Sequence, residues 1–205
     1  MEREFHRYDL FATPVLSTVL NNIDIKSIEK ECLKIEKSGN GRVRSNVGGF
    51  QSHDVWKYNT NVFDDLQKQI FSSVQDYINV FKVGNFQVKL TEFWFNVNRY
   101  KDYNQPHTHP YSVVSGAFYV STPDKCGRLA LKHPNEQLLH RDWINTMDDE
   151  DFNTINSANW YFNIEPKQLT MFPGWAEHYT EPNLNKTKPR ISFSFNFQHI
   201  NETIK

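Results

Sequence analysis

The segment Gln105-Pro106-His107-Thr108-His109-Pro110 places two imidazoles two residues apart. In an extended chain, residues at this spacing project from the same face, so His107 and His109 can reach one ion. Neutral imidazole is a ligand for iron, zinc, copper and nickel. Because the chain has 8 histidines in 205 residues, a chance pair is common, and two exposed loop histidines are the simpler alternative. A metal site therefore needs further ligands elsewhere in the chain.

Two more features with suitable chemistry lie toward the end of the sequence. His178 follows a Pro-Gly turn at 173–174, which ends a β-prone run and can deliver a ligand from a remote part of the chain. Arg190 and Ser192 begin the strand-like run 190–198, in which Phe and polar residues alternate. If the Phe face packs outward against helices, Arg190 and Ser192 point into the interior, where a buried arginine needs an anion such as a carboxylate. A packed histidine and a surface arginine are the alternatives.

Two amphipathic helices are expected to support these residues from the first part of the chain. The first starts after Asp24, a suitable N-cap, and stops at Ser38–Gly41. The second starts at Asn61, carries its apolar residues on one face and stops at Gly84. Both are typical of helices that cover a β-sheet.

After Gly84 the sequence changes to short β-prone runs, which are 86–100, 111–121, 127–132, 167–172 and 190–198. Residues 133–160 show little periodicity, and their acidic run 148–151 is expected to be a solvated loop. Helices followed by many short strands predict a single α+β domain over 1–205, with a helical flank at 1–85 and a β core at 86–200 that closes into a barrel or sandwich.

Composition limits the classes of partner. The net charge of −1 gives no global field for nucleic acid or an anionic membrane, and no apolar run is long enough to span a bilayer. Cys32 and Cys126, without a C-x-x-C motif, indicate buried thiols in a reducing compartment. The first residues, 1–5, lack the apolar region of a signal peptide, so we expect a cytoplasmic protein.

The order of these features resembles the 2-oxoglutarate- and iron(II)-dependent oxygenases, and more closely a branch of that superfamily found in bacteria and in the viruses of marine bacteria. The resemblance covers about 40–198. The segments that carry it are Arg44–Ser52, Trp94–Tyr100, Pro106–Pro110, Ser115–Val120, Phe172–His178 and Pro189–Asn196. It implies a double-stranded β-helix, a cupin-like jelly roll flanked by N-terminal helices. It also implies Fe(II) and 2-oxoglutarate as cofactors and dioxygen as co-substrate.

The resemblance also assigns roles to individual residues. His107 and His178 match the two histidines of the family's metal triad. Arg190 matches the basic residue that pairs with the far carboxylate of 2-oxoglutarate, assisted by Ser192. Tyr119 stands where prolyl-hydroxylase-like members place a tyrosine hydroxyl on the same carboxylate.

His109 is a departure from the family pattern, which has Asp or Glu at this position. Either His109 ligates and the site is a three-histidine centre, or a carboxylate comes from elsewhere or is missing, with Asp102 and Glu177 as the nearby candidates. The three-histidine centre is the preferred hypothesis. Residue 109 has the same strand parity as His107, whereas Glu177 would point away from its neighbour His178.

Two other functions remain open at the level of the sequence. One is a cupin-like three-histidine metal enzyme that needs no 2-oxoglutarate, and the other is a non-catalytic jelly-roll module. The primary substrate is unknown, because the loops that select it, such as 42–53 and 133–160, vary most. We expect no nucleic-acid or membrane partner, and we keep a homodimer as a prediction.

Overall fold

The computed structural model describes residues 6, 9–39, 41–84, 86–142 and 151–200. In this part of the chain the helices are α1 (Ile25–Lys37), α2 (Asp64–Phe81) and α3 (Glu136–Asp142), and a short 3₁₀ helix covers Val55–Lys57. The strands are β1 (Leu16–Val19), β2 (Asn46–Val47), β3 (Phe50–Gln51), β4 (Val88–Asn98), β5 (Tyr103–His107), β6 (Val114–Ser121), β7 (Leu129–Lys132), β8 (Asn159–Phe162), β9 (Gln168–Phe172), β10 (His178–Thr180) and β11 (Arg190–His199).

The described strands form two sheets in which every pairing is antiparallel. The larger sheet has the order β1-β9-β6-β11-β4-β3, and the smaller has the order β2-β5-β10-β7-β8. An enclosed cavity lies between them and is lined by strands of both sheets. This confirms the predicted jelly roll with flanking N-terminal helices, although β1, β2 and β3 also lie in the first 85 residues.

Strand β11 divides the molecule into an apolar side and a polar side. Its Ile191, Phe193, Phe195 and Phe197 are fully buried in the core under α1 and α2. Each phenyl ring contributes about 1.5–3 kcal/mol by leaving water. The alternate residues point to the other side, toward the cavity between the sheets, as the period of a strand requires. The predicted orientation of this strand is confirmed.

The helices differ from the sequence prediction mainly at the ends of α2. The carboxylate of Asp24 caps α1 and accepts from the backbone N–H groups of Lys26 and Ser27 at 3.2 Å, as expected for an N-cap. Helix α2 begins three residues after Asn61 and ends at Phe81, where Lys82 adopts a left-handed conformation with φ of 49°. The prediction that Gly84 ends the helix was therefore wrong by three residues. A lysine in the left-handed region ends it earlier.

The segment containing β2 and β3 connects the two sheets at one edge. Strand β2 pairs with β5 of the smaller sheet, and β3 pairs with β4 of the larger one. The turn between them favours glycine at Gly48, because its φ of +64° lies in the left-handed region that other residues rarely adopt. This segment, which the sequence predicts as a loop, is thus fixed to one sheet through β2 and to the other through β3.

The 133–160 insert is more ordered than predicted. It contains α3 and the first half of β8, which pairs with β7. Most of its acidic run lies outside the described residues, so the solvated loop stays a prediction. Among the helices in the described ranges, none has the length and apolar character needed to cross a membrane.

Candidate metal centre

Three histidines meet at the mouth of the cavity. His107 ends β5 and His178 begins β10, and the two are directly paired across these antiparallel strands. His109 follows β5 two residues later. The ring centroids of His107 and His178 are 4.4 Å apart, and each lies 5.0 Å from that of His109. The potential ligand atoms all lie within 4.8 Å of one another. The H-x-H pair and the remote histidine are therefore brought together as the sequence predicts.

The Pro-Gly turn before His178 brings the loop of His109 into position. The N–H of His109 donates to the carbonyl of Gly174 at 2.8 Å. A Cβ at Gly174 would overlap the carbonyl oxygen of Ser112 and would lie only 2.7 Å from that of His109. Only glycine allows the two backbones to approach so closely.

Two of the three rings are held with one nitrogen free for a metal. Nδ1 of His107 lies 2.7 Å from the carbonyl oxygen of Gln105, and Nδ1 of His178 lies 2.9 Å from that of Ala176. A carbonyl can only accept, so Nδ1 carries the proton in both rings and Nε2 presents a lone pair. Partners of this kind fix the tautomer and orientation of metal-ligating histidines.

His109 has a side-chain partner instead of a carbonyl. Its Nδ1 lies 3.3 Å from the amide nitrogen of Asn196, which also donates to the carboxylate of Glu92. The Asn196 amide oxygen accepts from the hydroxyl of Ser115 at 2.8 Å. This arrangement places the ring proton of His109 on Nε2. Ligation through Nε2 then requires the Asn196 amide to turn, so that its oxygen accepts from Nδ1 of His109.

All three histidines are kept neutral by their surroundings. Burial lowers the pKa of His109 to about 3, with a further contribution from His107. Burial also lowers the pKa of His107, and it lowers the pKa of His178 well below its usual value, together with the two neighbouring rings. Neutral imidazole is the form that binds a metal ion, so burial favours the protonation state that ligation needs in all three rings.

Arg190 is buried behind the histidines without an acidic partner. It is 1% exposed. Its Nη1 donates to the carbonyls of Cys126 at 2.6 Å and Glu181 at 2.9 Å, and its Nη2 donates to Oγ1 of Thr180 at 2.9 Å. Nε has no partner, and no carboxylate in the described ranges forms an ion pair with the guanidinium. Burial lowers the pKa of Arg190. A buried charge in this state is stabilised by an anion.

The cavity between the sheets contains the other two residues that the sequence singles out. Ser192 and Tyr119 both line it, together with Thr180 and the three histidines. The hydroxyl of Tyr119 is buried and has no hydrogen-bond partner, and burial raises its pKa. Asn96 also lines the cavity with an unpartnered amide oxygen. Buried polar atoms without partners are rare, so this cavity is built for a polar ligand.

Four aromatic residues of the matched segments have different positions. Trp94 lines it, whereas Phe95 and Phe118 belong to the core under the helices. Trp175 is 55% exposed. Strand parity explains the difference between Trp94 and Phe95, which are adjacent in β4 and point to opposite faces.

Neither of the two carboxylates considered as alternatives to His109 belongs to the group of potential ligand atoms. Asp102 accepts from the backbone N–H of Arg99 at 2.7 Å, and Glu177 lies 3.5 Å from Nζ of Lys132. The carboxylate linked to the cluster is Glu92, through Asn196. Sequence reasoning missed it, although its parity with Trp94 and Asn96 along β4 places all three on one face.

An open cleft adjoins the histidines on the outside. Its volume is about 650 Å³, and it shares Ser45, Trp94, His107 and His109 with the enclosed cavity. The size is within the usual range of small-molecule sites, about 300–1,000 Å³. The histidine cluster therefore separates two compartments.

Comparison with solved structures shows the fold. The carbocyclase SnoK from nogalamycin biosynthesis, described as non-haem and α-ketoglutarate-dependent, has a TM-score of 0.64 at 8% identity, over 90% of this chain and 79% of that one. A prolyl-4-hydroxylase from Pseudomonas putida has a TM-score of 0.62 at 14% identity, covering 93% of this chain and 95% of its own. HygX from Streptomyces hygroscopicus, with nickel and 2-oxoglutarate bound, has a TM-score of 0.60 at 14% identity, covering 91% of this chain and 83% of its own.

The sequence itself matches a family model. No curated protein matches the chain. The model described as "Putative 2OG-Fe(II) oxygenase" matches residues 92–196, which is 105 of the 205 residues and so just over half of the chain. The matched segment contains His107, His109, Tyr119, His178, Arg190 and Ser192. The chain therefore belongs to the 2-oxoglutarate- and iron(II)-dependent oxygenases, and it is an enzyme of the non-haem iron, jelly-roll class whose primary substrate is unknown.

Proposed function

We propose that His107, His109 and His178 are the iron(II) ligands of this oxygenase. The observation that carries the proposal is the convergence of three neutral imidazoles from two strands and one loop at the mouth of the cavity. Three protein ligands would leave the ion open to further ligands, as in the facial triad of non-haem iron oxygenases. An all-imidazole set is one unit more positive than the usual two histidines and a carboxylate, which favours an anionic co-substrate.

We further propose that 2-oxoglutarate binds in the enclosed cavity, with its far carboxylate directed toward Arg190. The unpaired buried charge of Arg190, the unpartnered hydroxyl of Tyr119 and the hydroxyl of Ser192 support this placement. The free volume of the cavity is only about 30 Å³, enough for roughly two water molecules. A five-carbon dicarboxylate therefore enters only as lining side chains draw back, and a rotation of Tyr119 would open the space nearest to Arg190.

The protein's own contribution to the reaction is placement and exclusion of water. Iron(II) and 2-oxoglutarate supply, with dioxygen, the oxidising power for attack on a C–H bond of the substrate. The carbonyls of Gln105 and Ala176 hold His107 and His178 in the ligating tautomer. The sheet-lined cavity keeps the co-substrate away from bulk water, while the open cleft presents the substrate to the other side of the histidines.

Metal binding by histidine variants tests the proposal. We expect the purified protein to bind Ni(II) and Fe(II) in equilibrium dialysis with 2-oxoglutarate present, and to release succinate with iron and oxygen. His107→Ala and His178→Ala should lose both properties, because two imidazoles hold the metal poorly. His140→Ala, which removes an exposed histidine of α3, is the matched control. Undiminished metal binding by His178→Ala would contradict the ligand assignment.

The remaining expectations from the sequence stay predictions. They are a cytoplasmic location, an origin in the bacterial and viral branch of the superfamily, a homodimer, and a single domain over 1–205.

A further inference from the structure

The open cleft beside His107 and His109 carries charged groups that the site described so far does not use. Because it reaches the histidines from outside the cavity, it is the place from which a substrate C–H bond can approach the iron. This inference rests on the proposed iron site. One wall of the cleft is the segment 42–45 before β2, and its floor is formed by side chains of β4. The chemistry of these walls defines what the cleft can recognise.

One side of the cleft offers hydrogen-bond acceptors that lack a cationic partner. Glu92 is partly buried, and its carboxylate receives the amide of Asn196 but forms no ion pair with any cation in the described ranges. Gln51 is 3% exposed, and its amide oxygen has no hydrogen-bond partner. Both residues line the cleft. The amide oxygen of Gln51 lacks the donor that a buried acceptor needs. The carboxylate of Glu92, which has a neutral donor and no cation, is complementary to a positively charged N–H group.

The other side of the cleft offers donors. The guanidinium of Arg42 lies over the ring of Trp94, 5.5 Å from its centroid, and 3.6 Å from the carboxylate of Asp54. Its Nε is buried and has no partner. The backbone N–H of Arg42 donates to the carbonyl of Gln51 at 2.8 Å, which ties the segment 42–45 to β3.

Arg44 completes the donor side. It is exposed in the cleft and forms no ion pair with an acidic side chain in the part of the chain that the structure describes. Asp54 partly balances Arg42, so the unbalanced charges of the cleft are one guanidinium, Arg44, and one carboxylate, Glu92. A guanidinium of this kind suits a carboxylate held by two parallel hydrogen bonds.

We propose that the cleft is the primary-substrate site and that it selects a zwitterion carrying an ammonium and a carboxylate group, as a free α-amino acid does. Glu92 receives the ammonium group. Arg44 binds the carboxylate. A residue within a polypeptide has neither free group and would leave both sides of the cleft unpaired.

Binding to the full chain loaded with Ni(II) and 2-oxoglutarate tests the proposal, since nickel replaces iron and prevents turnover. Calorimetry with the twenty common amino acids identifies the tightest ligand, which is then compared with its α-amide and its N-acetyl derivative. We expect both derivatives to bind at least about tenfold more weakly, the effect of losing one charge-assisted hydrogen bond.

Variants assign each half of the ligand to its side of the cleft. Arg44→Gln should lower the affinity for the free amino acid about tenfold or more and leave the affinity for the α-amide unchanged. Glu92→Gln should lower the affinity for the free amino acid to a similar extent and leave the affinity for the N-acetyl derivative unchanged. Arg141→Gln, at an exposed arginine of α3 outside the cleft, is the matched control. Arg44 is exposed, so its replacement does not threaten the fold, and the comparison of derivatives needs no variant.

Each result has a definite meaning. Equal affinity for the amino acid and its two derivatives overturns the zwitterion assignment, as does an unchanged affinity in Arg44→Gln. Binding of 2-oxoglutarate without binding of any amino acid also overturns it, while the proposed iron and co-substrate sites stand. Failure to bind 2-oxoglutarate removes the proposed function and this inference with it.

Discussion

Replacement of Arg190 by methionine provides a direct test of where 2-oxoglutarate binds. Methionine retains a long side chain and removes the charge. The guanidinium is 1% exposed and has no carboxylate partner, so in the proposed complex the far carboxylate of 2-oxoglutarate becomes its counter-ion. Truncating one member of a buried charge pair costs about 2–5 kcal/mol. At about 1.4 kcal/mol per factor of ten, the affinity for 2-oxoglutarate should fall roughly 30- to 4,000-fold.

A second ligand separates this effect from damage to the fold. Arg190 also donates to two carbonyls and to Thr180, and each acceptor left unpaired costs about 1–3 kcal/mol of stability. Calorimetry on the Ni(II)-loaded protein should therefore compare 2-oxoglutarate with 2-oxobutyrate, which has the same oxo-acid group but no far carboxylate. The wild type should prefer 2-oxoglutarate strongly, and Arg190→Met should show no preference. If the folded variant keeps the preference, another group binds the carboxylate and the reasoning is refuted.

Two further predictions concern the same cavity. Tyr119→Phe should weaken 2-oxoglutarate binding in calorimetry without lowering the free energy of unfolding in urea, because the hydroxyl it removes is buried and unpartnered; a loss of stability with unchanged affinity would contradict this. The metal-free protein should lose stability as the pH falls from 6.5 to 5. The unfolded chain takes up protons on His107, His109 and His178 in this range, whereas the folded protein, in which the three pKa values are lowered, does not. The loss is at most about 1.4 kcal/mol per pH unit for each histidine. Urea titrations should show a flatter pH profile for the variant with all three replaced by glutamine, and an equally steep profile would count against the burial of the rings.

The features that the sequence predicted well depend on the spacing of residues within a single strand or turn. The alternation of β11 predicts both the strand and the direction of Arg190, because the period of two assigns each residue to a face. The spacing of His107 and His109 likewise predicts a common direction. His178 was found from the turn before it, and its direct pairing with His107 is a matter of strand register. Register between distant strands is not readable from either strand alone.

The features that sequence missed depend on tertiary pairing. Glu92 lies opposite Asn196 in the β4–β11 ladder, and only this register links its carboxylate to His109. Strand β10 has three residues and no periodicity, and it exists because β5 and β7 pair with it on both sides. The local partners of Arg190, such as the carbonyl of Cys126, come from a turn 64 residues away.

The wall shared by the two compartments bears on how such an enzyme can change in evolution. Trp94, His107 and His109 face both the enclosed cavity and the open cleft. The remaining cleft residues come largely from the segment 42–51, whereas the remaining cavity residues come mainly from β6, β10 and β11. Substitutions in the first group can alter which molecule is accepted while the residues that hold the cofactors stay as they are. New specificities are thus accessible by mutation at the edge of the barrel, and directed evolution has a short, defined stretch of chain to randomise.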